Sequence, residues 1–189
     1  MELLTTASQT VGPYVAIGFK NFSPGNPASL EVSGARITLC GRVLDGDGKP
    51  VSDAVIETWQ ANSHGRYAHP EDDQNKPLVT GFRGWGRVLP DVNGAYRLAT
   101  VKPGCVPGPG GSVQAPHLVA LVFMRGMLKH LVTRIYFPDE PANTDDPVLK
   151  LVAPERRATL IAKHIAAEPG VLEWNVILQG RDETVFFDY

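Results

Sequence analysis

Short apolar alternations separated by glycine- and proline-rich turns constrain this chain more than any other feature. Ile37, Leu39, Gly41 and Val43 alternate with Thr38, Cys40 and Arg42, the period of a half-buried strand. Asp45-Gly46-Asp47-Gly48 follows, a turn signal because glycine accepts positive φ. In the next segment, Val51 to Gln60, Val55, Glu57 and Trp59 face one way and Ile56, Thr58 and Gln60 the other. Further strands are expected at 96–101, 117–124, 130–137 and 171–179. One short helix is expected at Pro154–Lys163, where proline suits the first turn. The 19 glycines and 16 prolines are spread throughout, as many turns require. The expected fold is all-β, an antiparallel β-sandwich with an irregular N-terminal arm over residues 1–34 and the sandwich over 35–189.

Composition narrows the function classes. With 189 residues, 43% hydrophobic and 20% charged, the chain can bury a real core. A net charge of −2 gives no broad basic surface for nucleic acid. The two cysteines, Cys40 and Cys105, make neither a disulfide framework nor a zinc cluster. The first residues lack the basic start and apolar run of a signal peptide, and the apolar run Leu118–Met124 is too short to cross a bilayer. A soluble, cytoplasmic protein is the expectation.

No P-loop, GxGxxG, HExxH, CxxC or GxSxG occurs. The segment Lys102–Met124 has the layout of a catalytic loop running into a strand, yet the loop offers Pro, Gly and one Cys, and His117 alone opens the strand. A lone histidine with no second ligand two residues away is more often structural than metal-binding. His64 and His69 lie in the long connection 64–90 and read as solvated, as does the pair Asp72-Asp73. His130 and His164 read as surface or packing residues. Glu57, beside Trp59, needs an interface or a cation such as Arg87. Cys105 reads as an ordinary thiol, with nothing near it in sequence to lower its pKa strongly.

An ordered set of motifs runs through almost the whole chain. It comprises Ser8–Tyr14, Gly41–Gly48, Glu57–Asn62, Gly65–Tyr67, Phe82 with Gly86-Arg87, Val101–Gly104, Ala115–His117, Thr133–Phe137 and Glu183–Tyr189. Together these resemble the intradiol dioxygenases, and within that family the alpha subunit of its two-chain members. The resemblance implies a β-sandwich around a ferric site held by two tyrosines and two histidines, where Fe³⁺, a hard cation, suits phenolate oxygen. There the iron chelates a catechol dianion and O₂ attacks the ring. Carried over residue by residue, the four ligand positions fall on Gln74, Val106, His117 and Val119, and three of the four offer no ligand. The resemblance therefore implies no iron in this chain. Fe³⁺ would be held by a partner beta subunit, with protocatechuate and O₂ as substrates and a higher hetero-oligomer as the assembly. It also implies that the arm closes over the partner's pocket through Thr10, Gly12, Pro13 and Tyr14, and that Arg125 attracts the substrate carboxylate. Two other readings compete. One is a self-sufficient enzyme in which Tyr67 and His64 or His69 join His117. The other is a non-enzymatic sandwich that binds small molecules or proteins.

Overall fold

The computed structural model describes residues 5–20, 25–29 and 31–188. Residues 1–4, 21–24 and 30 of the expected arm, and Tyr189 of the apolar tail, lie outside the described part. In chain order the regular elements are α1 (Tyr14–Phe19), β1 (Arg36–Leu44), β2 (Val55–Gln60), β3 (Trp85–Val88), β4 (Ala95–Val101), β5 (Val106–Pro107), β6 (Val113–Gln114), β7 (His117–Phe123), β8 (Leu131–Tyr136), β9 (Lys163–His164), β10 (Val171–Glu173) and β11 (Val176–Ile177). Among the described residues no helix is long and apolar enough to cross a membrane.

Two sheets form an all-β sandwich. One has the order β11–β1–β10–β9 with β4 also on β1; the other runs β3–β2–β7–β8. The pairings are antiparallel apart from β10 and β11, which run parallel to β1. The alternations read from sequence decide which side chains enter the space between the sheets. Ile37, Leu39 and Val43 of β1 and Leu98 of β4 pack there with Ile56 of β2, Leu118, Ala120 and Val122 of β7, and Ile135 of β8. Leu118 and Val43 are wholly buried, and truncating such a leucine to alanine costs about 2–5 kcal/mol. Gln60 is buried in the same core without being orphaned. Its Nε2 donates to Val101 O at 2.9 Å and its Oε1 accepts from Thr100 Oγ1 at 2.8 Å, so β2 and β4 are tied across the sandwich.

Several segments differ from the sequence expectation, among them the arm, expected to be irregular, which holds the helix α1, and the loop 103–111, which holds β5. The single last strand is two, β10 and β11, broken at Trp174-Asn175. There Asn175 Oδ1 accepts from Arg42 N at 2.8 Å in place of a backbone carbonyl, and Tyr96 OH donates to Trp174 O at 2.5 Å. Gly41 permits the break, because a Cβ would run into the Trp174 carbonyl. The connection 64–90 contains a strand, β3, whose two glycine-flanked positions pair Trp85 with Trp59 and Arg87 with Glu57. The expected helix at 154–163 is a 3₁₀ segment, Pro154–Leu160, which gives way to an extended backbone at Ile161 and then to β9.

The arm is only partly separate from the body. Gly25 bridges to Arg87 and Ala28 to Phe82, and Ala28 and Val32 join Phe82 and Val101 in a small apolar cluster. Residues 5–20 lie more openly, and α1 has no buried residue. The apolar tail is seated by the bridge between Val132 and Phe187, with Phe187 N donating to Val132 O at 2.8 Å.

Candidate functional site

The residues singled out from sequence fall into two groups, one near each end of β7. His117 begins β7, and Arg125 follows two residues after its end at Phe123. At roughly 3.3 Å per residue, the two ends of that strand lie about 20 Å apart.

At the first end, strand register places Tyr136 opposite His117 and Arg134 opposite Val119, while Trp59 flanks Val119 from β2. His117 is buried, and its Nδ1 lies 2.7 Å from Ala115 O. A carbonyl only accepts, so Nδ1 carries the proton. Burial, joined by the Arg134 charge, pulls the His117 pKa down to about 4, against the opposing pull of the Ala115 carbonyl and Asp146. The imidazole is neutral over the ordinary pH range. Its ring lies 5.7 Å from that of Tyr136. The Tyr136 hydroxyl donates to Asp146 Oδ1 at 3.0 Å, and burial raises its pKa strongly, with Arg134 acting the other way. Asp146 is fully buried and fully used: it also accepts from the backbone N–H groups of Ala115, Val148 and Leu149 at 2.7–2.9 Å.

The remaining three positions of the implied metal set carry no metal ligand. Val106 is buried and apolar. Val119 is half-buried beside Trp59. Gln74 is turned inward on its own loop, with Nε2 donating to Gly65 O and to Asp72 Oδ2, each at 3.0 Å. Gln74 lines a pocket of about 520 Å³ with Trp59, Tyr67, His69 and Pro107. Tyr67 stacks on Trp59 with ring centroids 5.7 Å apart, and burial raises its pKa, with Arg134 opposing. His64 and His69 are exposed, and among the described residues no group of three His, Cys, Asp or Glu could hold a metal ion. Hydrocarbon and amide side chains cannot supply the anionic oxygen that ferric iron requires, so these residues do not fit the metal. Burial also raises the thiol pKa of Cys105, in keeping with an inert cysteine.

At the other end of β7 the structure brings two of the expected binding residues into one place. Thr10 Oγ1 accepts from Gly126 N at 2.7 Å, which pins the arm to the turn bearing Arg125. Gly126 has φ 86°, a conformation that side chains disfavour. Arg125 Nε pairs with Asp53 Oδ2 at 2.9 Å, and the arginine side chain remains 67% exposed. Gly12 O accepts from Val15 N at 3.1 Å to start α1, with Pro13 before it and Tyr14 80% exposed. Beside this junction a groove of about 450 Å³ runs between Gln9 and Val11 of the arm and Phe123, Met127, Leu128 and Phe187 of the body. At the far end of α1, the Arg87 guanidinium lies 3.7 Å from the Phe19 ring centroid and its Nε donates to Glu57 Oε1 at 2.8 Å. The Glu57–Arg87 pairing was legible in sequence. The parts played by Asp53, Arg134, Asp146 and Phe19 were not; an arginine on the outward register of a strand, as at Arg134, was the one signal available.

The two sheets, with a buried, neutral histidine at the mouth of β7, define an all-β sandwich of the class the resemblance implies. The chain belongs to the dioxygenase family, which matches residues 26–180, and within it to the intradiol ring-cleavage enzymes. It is similar to the protocatechuate 3,4-dioxygenase alpha chain of Burkholderia cepacia, 44% identical over 98% of both chains. It is also 38% identical to the beta chain of that enzyme from the same organism, over 82% of this chain and 68% of the other. Among solved structures, the dioxygenase domain of a dioxygenase–carbohydrate-binding fusion from Streptomyces sp. SirexAA-E superposes with a TM-score of 0.62, at 27% identity over 95% of this chain and 99% of that one. Membership of this family does not favour the alternative of a non-enzymatic binding module.

Proposed function

We propose that this chain is the alpha subunit of a protocatechuate 3,4-dioxygenase, a cytoplasmic hetero-oligomer in which the protocatechuate 3,4-dioxygenase beta subunit holds Fe³⁺. The complex opens the ring of protocatechuate with O₂ to give 3-carboxy-cis,cis-muconate, a step of aromatic catabolism in the beta-ketoadipate pathway. In this reading the chain binds and orients rather than reacts. Residues 1–34 are the segment that reaches the partner. Thr10, Gly12, Pro13 and Tyr14 close the pocket, where glycine and proline let backbone approach a flat aromatic acid. Arg125 offers a guanidinium to the substrate carboxylate.

The observation that carries the reading is the Thr10–Gly126 hydrogen bond, which gathers arm and arginine at one place while the implied ligand positions hold Gln74, Val106 and Val119. Similarity to both an alpha and a beta chain supports an assembly of two related sandwiches. The deciding experiment is co-expression with the beta chain, measuring iron content and oxygen uptake on protocatechuate. The complex should contain iron and consume oxygen, and this chain alone should do neither. Iron-dependent turnover by the single chain would overturn the proposal.

A further inference from the structure

Asp53 lies in the turn that leads into β2, and Arg125 in the turn that follows β7. The two strands are antiparallel, with Val55 opposite Phe123 at the end of their ladder. Continued past that end, the register sets Asp53 across from Arg125. Their side chains meet there, with Arg125 Nε 2.9 Å from Asp53 Oδ2. The surroundings of the two partners differ: the Asp53 side chain is 20% exposed and that of Arg125 67%. Asp53 Oδ2 is shut off from water, and among the described residues no N–H is aligned on it. Its contact with Arg125 is therefore one of charge rather than a directed hydrogen bond, and the N–H groups of the guanidinium stay available. A covered carboxylate is costly without a counter-charge, which favours keeping the guanidinium beside Asp53. Arg125 has no strand partner of its own, and a free arginine samples many rotamers. The same turn is fixed from the arm by the bond between Thr10 and Gly126.

We infer that Asp53 is the positioning residue of Arg125: it holds the guanidinium in place by charge and leaves the N–H fork open to the substrate carboxylate. The inference rests on the reading of Arg125 as the group that meets that carboxylate. Asp53 has two opposing effects on an aromatic acid. It spares the ligand the cost of ordering a rotamer-rich side chain, about fivefold in affinity. It also repels a second carboxylate across the guanidinium, by about twofold at so open a place in physiological salt. Positioning is the larger effect, so Asp53 strengthens binding while Arg125 is present. Without Arg125 only the repulsion is left, and the sign reverses.

The test is the dissociation constant of the alpha–beta complex for protocatechuate and for catechol, which lacks the carboxylate, measured without oxygen so that nothing turns over. Asp53→Asn should weaken protocatechuate binding roughly threefold and leave catechol binding unchanged. In the Arg125→Ala background the same substitution should instead tighten protocatechuate binding about twofold. Tighter binding from Asp53→Asn with Arg125 present would make Asp53 a competing anion only and overturn the inference. No change for protocatechuate, or an equal loss for catechol, also overturns it, the latter because a merely structural residue affects both ligands alike. Failure of the underlying reading looks different: Arg125→Ala alone would then leave the protocatechuate constant unchanged. A response to Arg125→Ala without one to Asp53→Asn overturns the inference and spares that reading. Asp53→Ser, a second neutral variant, should reproduce both signs where Asp53→Asn disturbs assembly.

Discussion

Thr10 in the arm and Gly126 in the turn after β7 are joined by a hydrogen bond of 2.7 Å across 116 residues of sequence. The bond makes the position of the arm depend on the turn that carries Arg125. Removing the hydroxyl leaves the Gly126 N–H exposed to water rather than orphaned, so the cost falls on the seating of the arm and not on the fold. Thr10→Val should lower kcat/KM of the alpha–beta complex about fivefold, the value of one ordinary hydrogen bond, with the circular dichroism unchanged. Deleting residues 1–14 should cripple turnover and still leave the sandwich folded; full activity from that truncation would show that the arm forms no part of the pocket.

Arg125 is held at Nε by Asp53 and is otherwise largely open to solvent. That geometry suits attraction of a carboxylate in the ground and transition states alike. Arg125→Ala should therefore raise KM for protocatechuate, by about tenfold, more than it lowers kcat. Steady-state kinetics on the complex decide the matter, and an unchanged KM removes Arg125 from substrate binding.

Glu57 and Arg87 form a well-covered ion pair, with side chains 19% and 10% exposed. The arginine also lies over the rings of Phe19 and Trp85. Losing the carboxylate takes the counter-charge from a desolvated guanidinium, at a cost of about 3 kcal/mol. Urea unfolding of Glu57→Ala should show that loss. Phe19→Ala should cost much less, because α1 has no fully buried residue, and should show instead as faster proteolysis near residue 20.

His117 ties stability to acidity. In the unfolded chain it takes up a proton near pH 6.5, whereas in the folded chain it resists until about pH 4. Between those values the unfolded state binds more protons, so stability is complete above pH 6.5 and falls as the pH drops toward 4. The loss approaches about 3 kcal/mol. Unfolding curves over this window for the wild-type chain and His117→Gln should diverge by that amount, with the variant flatter. Parallel curves would remove His117 as the source.

Much of the architecture was legible before any coordinates. The alternation in β1 picked out its buried residues Ile37, Leu39 and Val43, whereas in β2 it separated the two faces without deciding which one is buried. Glu57 was matched to Arg87 because a carboxylate on a half-buried strand needs a cation. The breaks came where local pattern is silent. β3 was hidden by Gly84 just before it and Gly86 within its four residues, and the split between β10 and β11 depends on Asn175 replacing a backbone acceptor for Arg42, 133 residues away. Thr10 and Arg125 were each singled out, yet their adjacency was not, and the role of Arg134 was missed altogether.

The sequence alone determined the β periodicity, the turn positions and the absence of ligand chemistry at Gln74, Val106 and Val119, because side-chain identity and short-range spacing are local properties. Only the tertiary structure decided that β10 and β11 run parallel to β1, that Thr10 meets the Arg125 turn, and that Asp53 pairs with Arg125. Those relationships arise from strand register and side-chain direction between segments far apart in the chain, and the cost of bringing such segments together is recovered only when the two sheets close on a common core.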